Sequence, residues 1–119
     1  MSVSTSQVER DETVVILKIT GELDASNYRE VMDKAGEAHA AGAQYLLIDL
    51  SQLRFMSSTG LALLHSMTLM MQNVGAPDVE RIKLLAPQPK VLSLLEKTGF
   101  SEMYEIFEDQ ETALASCGN

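Results

Sequence analysis

The run YLLIDL at residues 45–50 does most to limit how this chain can fold. Its apolar residues are nearly continuous instead of alternating, as expected of a strand buried on both faces. Such a strand needs helices above and below it and belongs in a largely parallel sheet. RIKLLA at 81–86 is a second run of the same kind. Residues 13–19, TVVILKI, are rich in β-branched side chains and predict another strand, with Val14, Ile16 and Ile19 among its residues. A weaker strand over 3–9 pairs with it in a hairpin across Arg10 to Glu12. MYEIF at 103–107 supplies a short last strand.

Helical spacing fills the gaps between these runs. Over about 26–41, Tyr28, Val31, Met32, Ala35, Ala38 and His39 share an inner face, with His39 half-buried at the helix end. Arg29, Glu30, Asp33, Lys34 and Glu37 share the outer face, and Gly42 is a stop. A second helix runs over about 58–74 and stops near Gly75 and Pro77. A third occupies 89–98, with Pro89 in its first turn, Val91, Leu92, Leu95 and Thr98 inward, and Gly99 at its end. DQETALAS forms a terminal helix. The order strand, strand, helix, then strand and helix in alternation, implies βαβ crossovers. The expected fold is an α/β sandwich with a mixed, mostly parallel sheet of four to five strands. One domain covers residues 1–119, and 45% hydrophobic residues can bury one modest core.

Composition narrows the function. Asp and Glu outnumber Lys and Arg by 17 to 9, for a net charge of −8, and no Lys/Arg cluster occurs. That argues against nucleic acid, whose recognition needs a basic footprint, and against an anionic membrane surface. A basic protein partner stays open. The single cysteine, Cys117, cannot form an internal disulfide, which suits a reducing compartment. The N-terminal MSVSTSQVERDE lacks the basic and apolar blocks of a secretory signal. Residues 60–74 are too short and too polar to span a bilayer. A soluble cytoplasmic protein is the expectation.

Familiar catalytic patterns are missing. The chain has neither GxxxxGK[ST] nor GxGxxG. His39 and His65 lie on different helices without metal-ligand spacing, so no metal and no cofactor are expected. A triad of Ser58, His65 and Asp49 fails on geometry. Seven residues along one helix separate Ser58 from His65 by roughly 10 Å, beyond hydrogen-bond reach. An independent enzyme with Ser58 as nucleophile would need a base that this spacing does not supply, and no GxSxG elbow surrounds it.

What remains is the hydroxyl run Ser57, Ser58, Thr59 at the mouth of the second helix. Helix capping accounts for one serine, contributing about 1 kcal/mol. On the helical wheel, Leu63, Leu64, Met67, Met70, Met71 and Val74 make the core arc. Ser66, Thr68, Gln72 and Asn73 lie opposite, and Leu61 and Leu69 fall within that polar side. Ser58, Leu61, His65, Leu69 and Gln72 therefore form an outer stripe. Single exposed leucines are ordinary. The sharper expectation is a docking strip with Ser58 at its head.

Three segments carry a family resemblance: LIDLSQLRFMSSTGLALL at 47–64, GELDASNYREV at 21–31 and KTGFSEMYEIFEDQETAL at 97–114. Together they resemble STAS domains, and in particular bacterial anti-sigma factor antagonists, over nearly the whole chain. The resemblance implies a binding module, not an enzyme. Its partner would be an anti-sigma factor with a histidine-kinase-like ATPase fold that is also a serine kinase. The unphosphorylated antagonist would hold that partner and free a sigma factor. Phosphorylation would weaken binding, and a metal-dependent serine phosphatase would restore it. By position the acceptor is Ser58, with Ser57 and Thr59 as substitutes. Joined with the outer stripe of the second helix, which contributes His65 and Leu69, the expected partner surface comprises Glu22, Asp24, Ser26, Ser57, Thr59, Gly60, Leu61, His65 and Leu69. The chain departs from the family where an aspartate normally precedes the acceptor; Ser57 stands there. That substitution leaves open a tolerant kinase, an acceptor shifted to Ser57, or a constitutive binder. A stressosome-like scaffold or a lipid-transporter accessory subunit is the alternative role within the same fold.

Overall fold

The computed structural model describes residues 2–8, 11–71 and 81–116, with side chains from residue 14 onward. Six strands and five helices occur among them. Strands β1 (Ser2–Val8) and β2 (Asp11–Leu23) pair antiparallel, with Ser2 opposite Thr20. The expected turn at Arg10 lies outside the described residues. Strands β3 (Tyr45–Asp49), β5 (Ile82–Leu85) and β6 (Glu105–Phe107) then add in parallel, giving the order β1-β2-β3-β5-β6. The mixed, mostly parallel sheet is as the sequence predicts.

The three crossovers all advance the same way across the sheet. Right-handed connection then puts α1 (Tyr28–Ala40), α2 (Ser58–Met71) and α3 (Pro89–Lys97) on one face. Their Val31, Ala35, Leu64, Met67, Val91 and Leu95 pack with Leu46 and Ile48 of β3 in the main core. Leu47, between them on β3, points the other way. It joins Ile16, Leu85 and Ala113 of α5 (Gln110–Ala115) in a smaller cluster. The continuous apolar run thus serves two cores. On the α5 face lies one buried charge, Lys83, whose Nζ donates to Glu105 Oε1 at 3.0 Å and stands 5.9 Å from the Phe107 ring centroid.

Helix ends follow the local chemistry. At the end of α1, Gly42 adopts φ 105°, its N–H bonds to His39 O, and Ala43 N–H bonds to Ala38 O. This double bond pattern needs the left-handed conformation that glycine adopts without penalty. Ala38 and Ala43 close the core beneath that turn, and His39, one step further round the wheel, faces solvent instead of being half-buried. Thr98, expected on the inner face, is the exposed cap of α3, and its hydroxyl donates back to Leu94 O at 2.8 Å. The expected strand from 103 begins only at Glu105, because Phe100–Met103 form a helical turn, α4. The end of α2 near Gly75 and Pro77, with Gln72, Asn73 and Val74, lies outside the described residues, as does Cys117.

One element is absent from the sequence reading. Residues Leu53–Met56, between the YLLIDL strand and the second helix, form strand β4. Strand β2 runs 13 residues and overshoots β3, and β4 takes up the free edge in parallel, with Leu23 opposite Met56. Four residues with only the two end ones buried show no period to read. Their strand character comes from the overshooting partner.

Candidate functional site

The end of the β2–β4 ladder brings the two sequence motifs together. After Leu53 and Met56, which are buried, Ser57 N–H donates to Leu23 O at 3.0 Å. That bond fixes the head of α2 beside the GELD turn. In the turn, the Asp24 carboxylate accepts from Ser26 N–H at 2.9 Å and from the Ser26 hydroxyl. These bonds hold the Asp24 carboxyl below its ordinary value of 3.8, so it stays charged. Asn27, which the motif comparison did not single out, ties the turn at both ends. Its side chain accepts from Asp24 N–H at 3.0 Å and donates to Glu22 O at 2.9 Å. An Asn just ahead of a helical run is a recognisable capping signal, and here it braces a loop.

The hydroxyl run separates into distinct roles. Ser57 caps α2: its Oγ accepts from Thr59 N–H at 3.2 Å, and its carbonyl accepts from Gly60 N–H at 2.9 Å and Leu61 N–H at 3.3 Å. Ser58 is the first helical residue, is exposed, and its hydroxyl has no hydrogen-bond partner among the described residues. Thr59 is half-buried. Gly60 is buried against the ladder, and a Cβ there would collide with the Met56 side chain and come within 3.3 Å of Leu23 Cδ2. Gly60 therefore lets the helix start sit directly on β4.

The outer stripe holds only in part. Ser58, His65 and Leu69 are exposed, Leu69 at 54%. Leu61 is not: it is 7% exposed and belongs to the main core. The wheel assumes one arc facing the sheet, but α2 also packs along α1, and this widens its buried arc. Thr68 is likewise half-buried; it bonds Leu64 O at 2.9 Å and the Tyr104 hydroxyl at 2.7 Å. Glu22 and Ser26 are exposed and Asp24 half-exposed. The structure thus gathers Glu22, Asp24, Ser26, Ser57, Ser58 and Thr59 at one end of the sheet. His65 and Leu69 continue along α2, and Gly60 and Leu61 lie beneath the surface.

Sequence reasoning also missed Phe55. It is 51% exposed on β4, opposite Glu22 in the ladder. Nothing in LRFM marks which apolar residue the strand leaves outside. Among the described residues no three His, Cys, Asp or Glu side chains gather as a metal site, and no helix is long and apolar enough to cross a membrane.

Solved structures share this architecture. An anti-sigma factor antagonist from Mycobacterium paratuberculosis superposes with a TM-score of 0.80 at 20% identity, covering 99% of this chain and 96% of that one. The anti-sigma factor antagonist SpoIIAA in its unphosphorylated form gives 0.78 at 21% identity, covering 95% and 93%. The Bacillus cell fate determinant SpoIIAA in its phosphorylated form gives 0.72 at 20%, covering 96% and 97%. At such identities the likeness speaks to the fold. The sequence itself matches the STAS domain family over residues 5–113, and with the GELD turn and the hydroxyl-headed helix joined at one sheet end, the chain belongs to that family.

Proposed function

We propose that this STAS domain is an anti-sigma factor antagonist whose grip on its partner is set by phosphorylation of Ser58. The observation that carries the reading is the division of labour at the head of α2. Ser57 holds the helix, which leaves the Ser58 hydroxyl exposed and uncommitted. A kinase can reach it without breaking a bond of the fold. The departure from the family aspartate is then mild, because serine fills the capping role at that position.

A phosphoryl group on Ser58 adds about −1.5 to −2 charges at pH 7. The positive end of the α2 dipole favours it there. The Thr59, Gly60 and Leu61 N–H groups are already taken by Ser57, so the phosphate gains its own residue's N–H and the dipole, and the cap stays in place. Around it, charged Asp24 and exposed Glu22 raise the local negative potential. A partner surface shaped for a neutral serine must then bury a dianion, and each 1.4 kcal/mol of that penalty weakens binding about tenfold. The partner is an anti-sigma factor with a histidine-kinase-like ATPase fold acting as the serine kinase. A metal-dependent serine phosphatase reverses the mark.

The test is incubation with ATP and the cognate kinase, followed by mass spectrometry and titration calorimetry. Phosphate on Ser58, abolished by Ser58→Ala and retained in Ser57→Ala, is the expected result. Phosphorylated protein should bind at least about a hundredfold more weakly, which corresponds to two such steps. Equal affinity of both forms, or phosphate on Ser57, would reject the proposal.

A further inference from the structure

Helix α3 and strand β4 enclose an apolar groove of about 380 Å³ whose lining does not include Ser58 itself. Phe55 and Met56 line it from β4, and Val91 and Leu94 from α3. Phe55 is half out in solvent, although aromatic side chains of this size contribute most when covered. Lys90 and Lys97 stand at the two ends, both exposed, and neither has an ion-pair partner among the described residues. Lys90, Leu94 and Lys97 follow the i, i+4, i+7 spacing of a single helix face. The two lysines are therefore about 10.5 Å apart along the axis, at 1.5 Å per residue.

We propose that this groove docks an amphipathic helix of a partner protein that carries two carboxylates seven residues apart, with a large apolar side chain between them. The charge pattern selects the occupant. A chain of net charge −8 repels an acidic helix over most of its surface, yet this groove offers two uncommitted cations. The spacing selects a helix over a small anion. One carboxylate engages one lysine, whereas acids at i and i+7 on a helix repeat the same ~10.5 Å separation. The apolar residue between them then covers Phe55 and enters the cavity. Rim charges supply orientation and rate, and the covered aromatic supplies most of the affinity.

The probe is a fluorescein-labelled, hydrocarbon-stapled helical peptide with two glutamates seven positions apart and leucines midway, read by anisotropy and by ¹⁵N amide shifts. Saturable binding is expected, with shifts centred on β4 and α3. The double variant K90E/K97E, altered only at exposed positions, should weaken binding about tenfold or more. A peptide with lysines in place of the glutamates should prefer that variant over the wild type, and raised salt should weaken both matched pairs. Phe55→Ala should weaken both as well. The proposal is overturned if wild type and K90E/K97E bind the glutamate peptide equally, or if no binding is seen up to ~1 mM, an affinity of about 4 kcal/mol. It is also overturned if decanoate shifts the groove amides and the peptide does not, which would give the groove to a small amphiphile.

Discussion

Ser57 and Ser58 are adjacent and chemically alike, yet they stand in different relations to α2. Replacing Ser57 by Ala removes the cap and should cost about 1 kcal/mol in urea unfolding. Replacing exposed Ser58 should change stability by no more than about 0.5 kcal/mol. The same logic separates the leucines. Leu61→Ala empties part of the core and should lose about 2–5 kcal/mol, whereas Leu69→Ala should stay within about 0.5. Gly60→Ala places a methyl group against Met56 and Leu23, an overpacking expected to cost about 1–3 kcal/mol. If Leu61→Ala and Leu69→Ala unfolded at the same urea midpoint, the buried placement of Leu61 would be wrong. Residue type and spacing marked Ser58 as special, but they could not separate a capping hydroxyl from a free one. That distinction lies in which oxygen the Thr59 N–H meets.

Among elements, the strands buried on both faces were the most legible. YLLIDL and RIKLLA declare themselves by composition, and the alternation of strand and helix implies that most of the sheet is parallel. Strand β4 was illegible because its four residues carry no period and pair only with the excess length of β2. The arc of α2 was misjudged because a wheel does not register a neighbouring helix. Thr68 shows the same effect, placed on a polar side yet bonded to Tyr104 of the segment entering β6. Helix α5, where the sequence predicts a terminal helix, carries a side-chain cap: Asp109 accepts from Thr112 N–H at 2.7 Å and from the Thr112 hydroxyl at 3.0 Å. Those bonds hold the Asp109 carboxyl below its ordinary 3.8. Tyr104→Phe should cost about 1 kcal/mol, since Thr68 keeps its bond to Leu64 O.

For the molecule as a whole, the perturbed groups shape stability against pH at both ends. Asp24 and Asp109 titrate below their ordinary 3.8 when folded, so the unfolded chain binds protons more readily. Their contribution is complete above that value and fades as pH falls through the lowered folded-state values. Tyr104 is raised above 10.0, first by burial, which disfavours its phenolate, so its contribution is complete below 10.0 and fades as pH climbs past it. Chemical denaturation across pH should show both limbs. D24N/D109N should flatten the acid limb and Tyr104→Phe the alkaline one. Phosphorylated Ser58, with its anion at the α2 N-terminus, should unfold no earlier than the unmodified protein and gain about 0.3–1 kcal/mol. Earlier melting would mean that the mark disturbs the scaffold.

The hydrogen bond from Ser57 N–H to Leu23 O has a consequence for how the head of α2 is presented. It ties the helix head to the strand end that leads into the acidic turn, so the backbone at Ser58 starts from a fixed place beside that turn. Under the proposed function, a partner would read that ledge as a template, and a phosphate on Ser58 would change who fits without giving the template a second shape.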